Sequence, residues 1–150
     1  MQKKIILHLI LPILVGSLIY LLFRSKNILI FNNLKAIHLD VIIDNWRDKF
    51  KFFKPYDWVV FCLPGGLWMY SYIYAIGLSW KNTIDRKSII WYILPLFLAI
   101  SSEFCQYFKF IRGTFDWQDV ASYTLFTGIA LLFLKPKIRI WGNLKQSDPV

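Results

Sequence analysis

Residues 88–134 read SIIWYILPLFLAISSEFCQYFKFIRGTFDWQDVASYTLFTGIALLFL, two long apolar runs separated by a short polar stretch. The first run covers residues 88–108 and the second covers residues 117–134. Each is long enough to cross a hydrocarbon layer about 30 Å thick as a helix that rises about 1.5 Å per residue. Because so few residues join the two runs, we expect the two helices to be antiparallel neighbours.

Two further apolar runs precede this pair, at residues 5–23 and 58–78. Two lysines before the first run suggest a signal peptide, but the run is too long for one and is followed by Arg24 instead of a small-residue cleavage site. The sequence therefore predicts an all-α integral membrane protein. We expect one transmembrane domain, residues 1–150, built as a four-helix bundle.

The composition is that of a membrane protein, with 57% apolar and 19% aromatic residues gathered in long runs. The net charge of +9 comes from Lys and Arg clusters at the ends of these runs and not from one basic face. This placement favours anionic lipid headgroups over nucleic acid. We therefore predict membrane lipids as partners, leave other membrane proteins open as further partners, and exclude nucleic acid.

The cysteines and histidines indicate no metal or redox chemistry. Cys62 and Cys105 each lie inside an apolar run, where a free thiol packs as a small apolar group. His8 and His38 have no second histidine at helical spacing, and no Cys-x-x-Cys motif occurs. The sequence predicts neither a metal site nor a cofactor.

The first loop, residues 24–57, has the pattern of an amphipathic helix. Apolar side chains recur at steps of three and four among charged ones: Leu34, Ile37, Val41, Ile42, Trp46, Phe50 and Phe53. Such a helix can lie in the membrane interface with its aromatic side in the acyl boundary. The alternative is a lid that packs on the bundle, and the sequence does not separate the two.

Topology follows from the basic residues that flank the predicted spans. With the N-terminus inside, the cytoplasmic segments carry nine Lys and Arg residues, and the outside segments carry nine as well, seven of them in the first loop. The cytoplasmic ones lie closer to short helix ends. We therefore predict a multi-pass protein with both termini in the cytoplasm, and the polar stretch after residue 100 facing outward.

That polar stretch holds the candidate binding residues, which are Glu103, Gln106, Arg112, Asp116 and Asp119. Glu103 and Gln106 are three residues apart and share a helix face. A charge near the membrane centre is costly, so each needs a partner or a function. Arg112 is the nearby cation, and we expect a bidentate pair between its guanidinium group and the carboxylate of Glu103 or Asp119.

The connection between the last two spans contains residues suited to ending one helix and starting the next. Gly113 can adopt the positive φ that closes a helix. Thr114 or Asp116 can cap the following helix, and Asp119 lies in its first turn, where the helix dipole favours an anion.

Three interpretations of this cluster stay open. It can be purely structural, with helix caps and a buried ion pair. It can be a pocket for a lipid headgroup or a lipid-linked envelope intermediate, with Arg112 binding a phosphate or carboxylate. It can also be a membrane enzyme in which Glu103 and Asp119 act as general acid and base, although no activated nucleophile or metal-ligand set accompanies them.

Glu103-x-x-Gln106, then Arg112, then Phe115-Asp116-x-x-Asp119 resembles the core signature of the VanZ-like family of small bacterial membrane proteins. Residues 63–68, LPGGLW, are similar to the Leu-Pro-Asp-Gly-Leu-Trp segment that some members carry. The resemblance extends over about residues 58–134.

The chain departs from the VanZ-like pattern at three positions. Gly65 stands where an acidic residue is often found, Tyr123 where an Asn usually follows the second Asp, and Phe126 where a Gly is common.

The resemblance implies about four membrane helices in the bacterial inner membrane and a role in the cell envelope. Founding members reduce susceptibility to the glycopeptide teicoplanin, and the family implies no established enzymatic reaction. We therefore expect a non-catalytic protein that binds a lipid headgroup or envelope intermediate. The alternatives are an accessory or structural subunit of a larger membrane complex and a membrane enzyme acting on a lipid-linked substrate.

Overall fold

The computed structural model describes residues 2–26 and 29–139, and most of these residues are helical. The helices are α1 (Gln2–Ile5), a π-helical turn (Ile6–Ile10), α2 (Leu11–Phe23), α3 (Leu29–Ala36), α4 (Asp40–Phe50), α5 (Asp57–Phe61), α6 (Leu63–Ser79), α7 (Ile89–Tyr107) and α8 (Trp117–Leu134). Two short strands, β1 (Thr83–Ile84) and β2 (Lys137–Ile138), pair in parallel.

The four predicted spans correspond to helices with nearly the predicted ends. Within the described ranges, two helices are long and apolar enough to cross a membrane, Ile6–Phe23 and Ile89–Tyr107. Each has only 11% of its span buried, whereas the core helix of a soluble protein is mostly buried. The other two predicted spans are not among these helices. A break at Cys62 precedes α6, and α8 carries several polar residues.

Helix α6 is the centre of the helical core. It packs against α2 on one side and α8 on the other, and α7 packs against α8. Ile73 of α6 and Ala130 of α8 are both 0% exposed. The α6–α8 contact is close because Gly66 has no side chain: a Cβ there would overlap the side chains of Ser122 and Phe126. The Ser122 hydroxyl donates a hydrogen bond to the Cys62 carbonyl at 2.9 Å, which fixes the same contact.

The outward faces of α2 and α7 are apolar. Leu14 is 59% exposed and Phe97 is 61% exposed, and both have apolar neighbours along the same helix. Soluble monomers rarely expose large contiguous apolar patches, which are typical of membrane or protein contact surfaces.

The first loop is helical, and α4 uses its two faces differently. Arg47 donates hydrogen bonds to the carbonyls of Leu21 and Arg24, each at 2.8 Å, so one face is fixed to the end of α2. Val41 lies on the other face and is exposed. The docked face fits the predicted lid, and the exposed face has the apolar character of an interfacial helix.

The strand pair is a departure from the all-α prediction. It joins the α6–α7 connection to the segment after α8, and two residues per strand are too few to produce an alternating sequence pattern. Asp85, in the same connection, accepts hydrogen bonds from the backbone amides of Ser88 at 2.7 Å and Lys87 at 2.9 Å. These bonds, that of Ser88 foremost, lower the pKa of the Asp85 carboxyl group below its ordinary value.

The start of the chain lies at the same end as the strand pair. The His8 ring stacks on Tyr74 with a centroid separation of 4.7 Å and contacts the Phe133 ring at 5.1 Å. The first loop and the α7–α8 connection therefore lie at the opposite end of the helices.

Candidate functional site

A cavity of about 610 Å³ opens at this opposite end of the helices. The end of α2, the start of α6, the end of α7 and the start of α8 surround it. Its lining consists of Tyr20, Arg24, Ser25, Phe61, Pro64, Gly65, Trp68, Ser102, Glu103, Gln106, Gly113, Thr114, Asp116, Asp119 and Tyr123. The volume is typical of small-molecule sites.

Four of the five predicted binding residues line this cavity, and the fifth, Arg112, does not. Arg112 is exposed in the α7–α8 connection. Among the residues that the structure describes, the one ion pair joins Lys26 to Asp44 at 2.6 Å, so the predicted pair of Arg112 with Glu103 or Asp119 is wrong. The reason is that α7 ends at Tyr107 and the following turns leave Arg112 on the outside.

Arg24 is the cation of the cavity instead. Its guanidinium carbon lies 4.6 Å from the centroid of the Phe61 ring and 5.6 Å from that of the Tyr20 ring. Its positive charge is close enough to Asp119 to interact with it. The sequence shows Arg24 only as a flanking charge after the first span, because nothing local connects it to residues so far along the chain.

Glu103 is the most deeply buried acid of the site, with 4% of its surface exposed. One carboxylate oxygen accepts from the Gln106 amide and the other from the Asp116 backbone amide, both at a long 3.4 Å. The charges of Asp116 and Asp119, which are both negative, act on Glu103. A buried carboxylate without a cation is costly, so this wall of the cavity is unbalanced in charge.

The start of α8 supplies the remaining acids, as predicted. Asp116 is the N-cap of α8, and its Oδ1 accepts a hydrogen bond from the backbone amide of Gln118 at 2.8 Å. Asp119 lies in the first helical turn, where the helix dipole favours a negative charge. The Cys62 thiol is buried beside Asp119 and donates to the Gln118 side-chain oxygen at 3.8 Å.

Gly113 has a different role from the predicted one. Helix α7 is closed by Lys109, which has φ 60°, and Gly113 follows later in the loop with φ 147°. A Cβ at Gly113 would overlap the Gln106 side chain. Gly113 therefore allows the loop to lie directly over Gln106 at the edge of the cavity.

Aromatic side chains complete the lining and were not predicted as site residues. Tyr20 and Trp68 form a ring pair with centroids 5.5 Å apart. Tyr123 lies over Gly65, where a Cβ would come within 2.7 Å of its ring. An aromatic residue after a polar helix start is only a weak indication of a binding site, since aromatic residues are common along the whole chain.

The site thus combines acids, an amide and one guanidinium group with aromatic faces. In the described part of the chain, no three His, Cys, Asp or Glu residues lie close enough together to hold a metal ion. The arrangement suits the binding of a polar, charged group at the end of an apolar helical core.

No family model matches this chain, and neither does any curated protein or solved structure.

Proposed function

We propose that this chain is a VanZ-like integral membrane protein of the bacterial cell envelope. Its four long helices, α1–α2, α5–α6, α7 and α8, cross the inner membrane as a bundle. The cavity binds the headgroup of a lipid or lipid-linked envelope intermediate, without catalysis.

The distribution of polar and apolar residues supports four spans. The outward faces of α2 and α7 are apolar, and α8 buries the polar side chains of Ser122 and Thr127. Helices in lipid are expected to place polar side chains inward and small residues at close contacts such as Gly66.

Charge supports the orientation with both termini in the cytoplasm. The end with the strand pair carries Lys81, Arg86, Lys87, Lys135, Lys137 and Arg139, while Asp85 is its one acid within the described ranges. Basic residues close to short helix ends mark the cytoplasmic side. The cavity then opens at the outer surface of the inner membrane.

The observation that carries the proposed binding is the cavity itself, which brings Glu103 and Arg24 together where the helices end. Helix ends lie at the level of lipid headgroups, where charged groups are accessible. An apolar helical region next to a charged cavity matches the apolar acyl chains and the charged headgroup of a lipid.

The VanZ-like interpretation gains support from the meeting of two separate motif segments. Residues of the LPGGLW segment and of the Glu103–Asp119 signature line the same cavity. Two departures from the family pattern also face each other, because the Tyr123 ring occupies the space beside Gly65. The two departures are therefore in contact with each other at the cavity wall.

The test is to fill the cavity without altering its charges. Ser102 lines the cavity, and its neighbour Ser101 on α7 does not. Ser102→Phe should therefore eliminate most of the lipid that co-purifies from native membranes, as counted by native mass spectrometry, and Ser101→Phe should keep it. Equal lipid retention in the two variants, with equal thermal stability, would contradict lipid binding in this cavity.

A further inference from the structure

The charges around the cavity point to the class of headgroup. Three carboxylates, those of Glu103, Asp116 and Asp119, line it together with one guanidinium group, that of Arg24. A purely anionic ligand would meet more negative than positive groups. The lining favours a ligand that carries a positive charge as well.

The wall at Glu103 is suited to an ammonium group. The carboxylate is buried, lines the cavity and has only long hydrogen bonds to neutral donors. Gln106 donates through its amide nitrogen to one oxygen of Glu103, and its amide oxygen lies against Gly113 at the edge of the cavity. The Tyr123 ring also lines the cavity, and an aromatic ring can attract a cation.

The wall at Arg24 is suited to a phosphate. Arg24 follows the end of α2 and Glu103 lies on α7, so the two side chains reach the cavity from different helices. The Arg24 guanidinium group and the Glu103 carboxylate form no ion pair with each other in the described part of the chain, although the charge of Arg24 acts on Asp119. A guanidinium group held on aromatic rings presents its donors in a fixed plane, which suits bidentate phosphate binding.

We infer that the cavity selects a phosphoethanolamine-type group, with the ammonium at Glu103 and the phosphate at Arg24. This inference rests on the proposed function and specifies its ligand. The group can belong to phosphatidylethanolamine in the membrane or to a soluble molecule. A choline headgroup has the same charges but no N–H donors for Glu103, so it should bind more weakly.

The first experiment uses the wild-type protein and needs no variant. Purified protein is exchanged into nanodiscs that contain equal amounts of phosphatidylethanolamine, phosphatidylglycerol and phosphatidylcholine, and the lipids retained after ejection are counted by native mass spectrometry. We expect phosphatidylethanolamine to be preferred over each of the others by about tenfold or more. Equal retention of phosphatidylglycerol would overturn the inference and leave headgroup binding intact, whereas retention of no lipid would overturn both.

Variants then assign the two walls. Glu103→Gln keeps the side-chain shape and should abolish the preference for phosphatidylethanolamine over phosphatidylglycerol without abolishing lipid retention. Arg24→Gln should reduce retention of all three lipids. Arg112→Gln is the matched control, because this arginine is exposed and outside the cavity, and it should behave as wild type. An unchanged preference in a folded Glu103→Gln protein would contradict the inference.

Soluble phosphoethanolamine distinguishes the two sources of the group. If the lipid is the ligand, millimolar phosphoethanolamine should compete weakly, since it lacks the acyl chains. If a soluble molecule is the ligand, phosphoethanolamine should raise the melting temperature of the wild type in lipid-free detergent but not that of Glu103→Gln. Both results support the recognition of an ammonium–phosphate group, and competition by glycerol phosphate with equal strength would overturn it.

Discussion

At the scale of single residues, Arg24 at the end of α2 and Arg47 on α4 have separate roles. Arg24 faces the cavity, and Arg47 holds the backbone that carries Arg24 by donating to the Leu21 and Arg24 carbonyls. The last carbonyls of a helix have no partner within the helix, so Arg47 satisfies groups that are otherwise left to water. Arg47 is thus a positioning residue for the cation of the site.

Replacing Arg47 should therefore loosen the end of α2. We expect Arg47→Gln to lower the free energy of unfolding by about 1–3 kcal/mol, since two hydrogen bonds from a charged donor are lost. Lys49→Gln, an exposed change on the same helix, should stay within about 0.5 kcal/mol of wild type. Thermal unfolding in detergent measures both, and equal stability of the two variants would show that α4 does not hold α2.

The acids of the site could be predicted from sequence, and its cation could not. Glu103, Gln106, Asp116 and Asp119 are close along the chain, and helix periodicity and a short connection suffice to bring them together. Arg112 is just as close, but its direction depends on how the turns after α7 leave the helix. Arg24 reaches the site only through the packing of α2 on α6, which no local pattern encodes.

At the scale of secondary-structure elements, the α6–α8 contact determines the shape of the cavity. Gly66 lies against Ser122 and Phe126, and the neighbouring Gly65 lies against Tyr123 at the cavity wall. The distance between the two helices is thus fixed by the absence of side chains on α6.

Two glycine substitutions test this contact and differ only in their surroundings. Gly66→Ala should destabilise the protein by about 1–3 kcal/mol, because its Cβ overlaps Ser122 and Phe126. Gly128→Ala on α8, where nothing lies within 4 Å of the new Cβ, should be neutral or stabilise by up to about 1 kcal/mol. Thermal unfolding of both proteins is the measurement, and a stable Gly66→Ala protein that still binds lipid would refute the tight contact.

The helix ends were predictable because each long apolar run is bounded by charged or turn-forming residues. The break at Cys62 and the strand pair were not predictable. The break lies inside a continuous apolar run, and the strand pair joins two segments that are distant in sequence. Both depend on tertiary contacts rather than on local preference.

At the scale of the whole molecule, the two ends of the helices differ in chemistry. One end carries the strand pair and a dense group of basic residues, and the other carries the cavity, the first loop and most of the described acids. This asymmetry is expected of a protein whose ends face different compartments. The sequence did not reveal this asymmetry, because the predicted inside and outside segments carry equal numbers of basic residues. The acids lie in separate segments, and the fold brings them together at the cavity.

The central claim, a membrane-spanning protein with its cavity at the outer surface, is tested most directly by cysteine labelling. Single cysteines replace the exposed Arg112 at the cavity end and the exposed Lys137 in β2, each in a background with Cys62→Ser and Cys105→Ala. In intact cells, a membrane-impermeant maleimide should label Arg112→Cys and should label Lys137→Cys only after the cells are opened. Labelling of Lys137→Cys alone in intact cells, or equal accessibility of both positions, would contradict the claim.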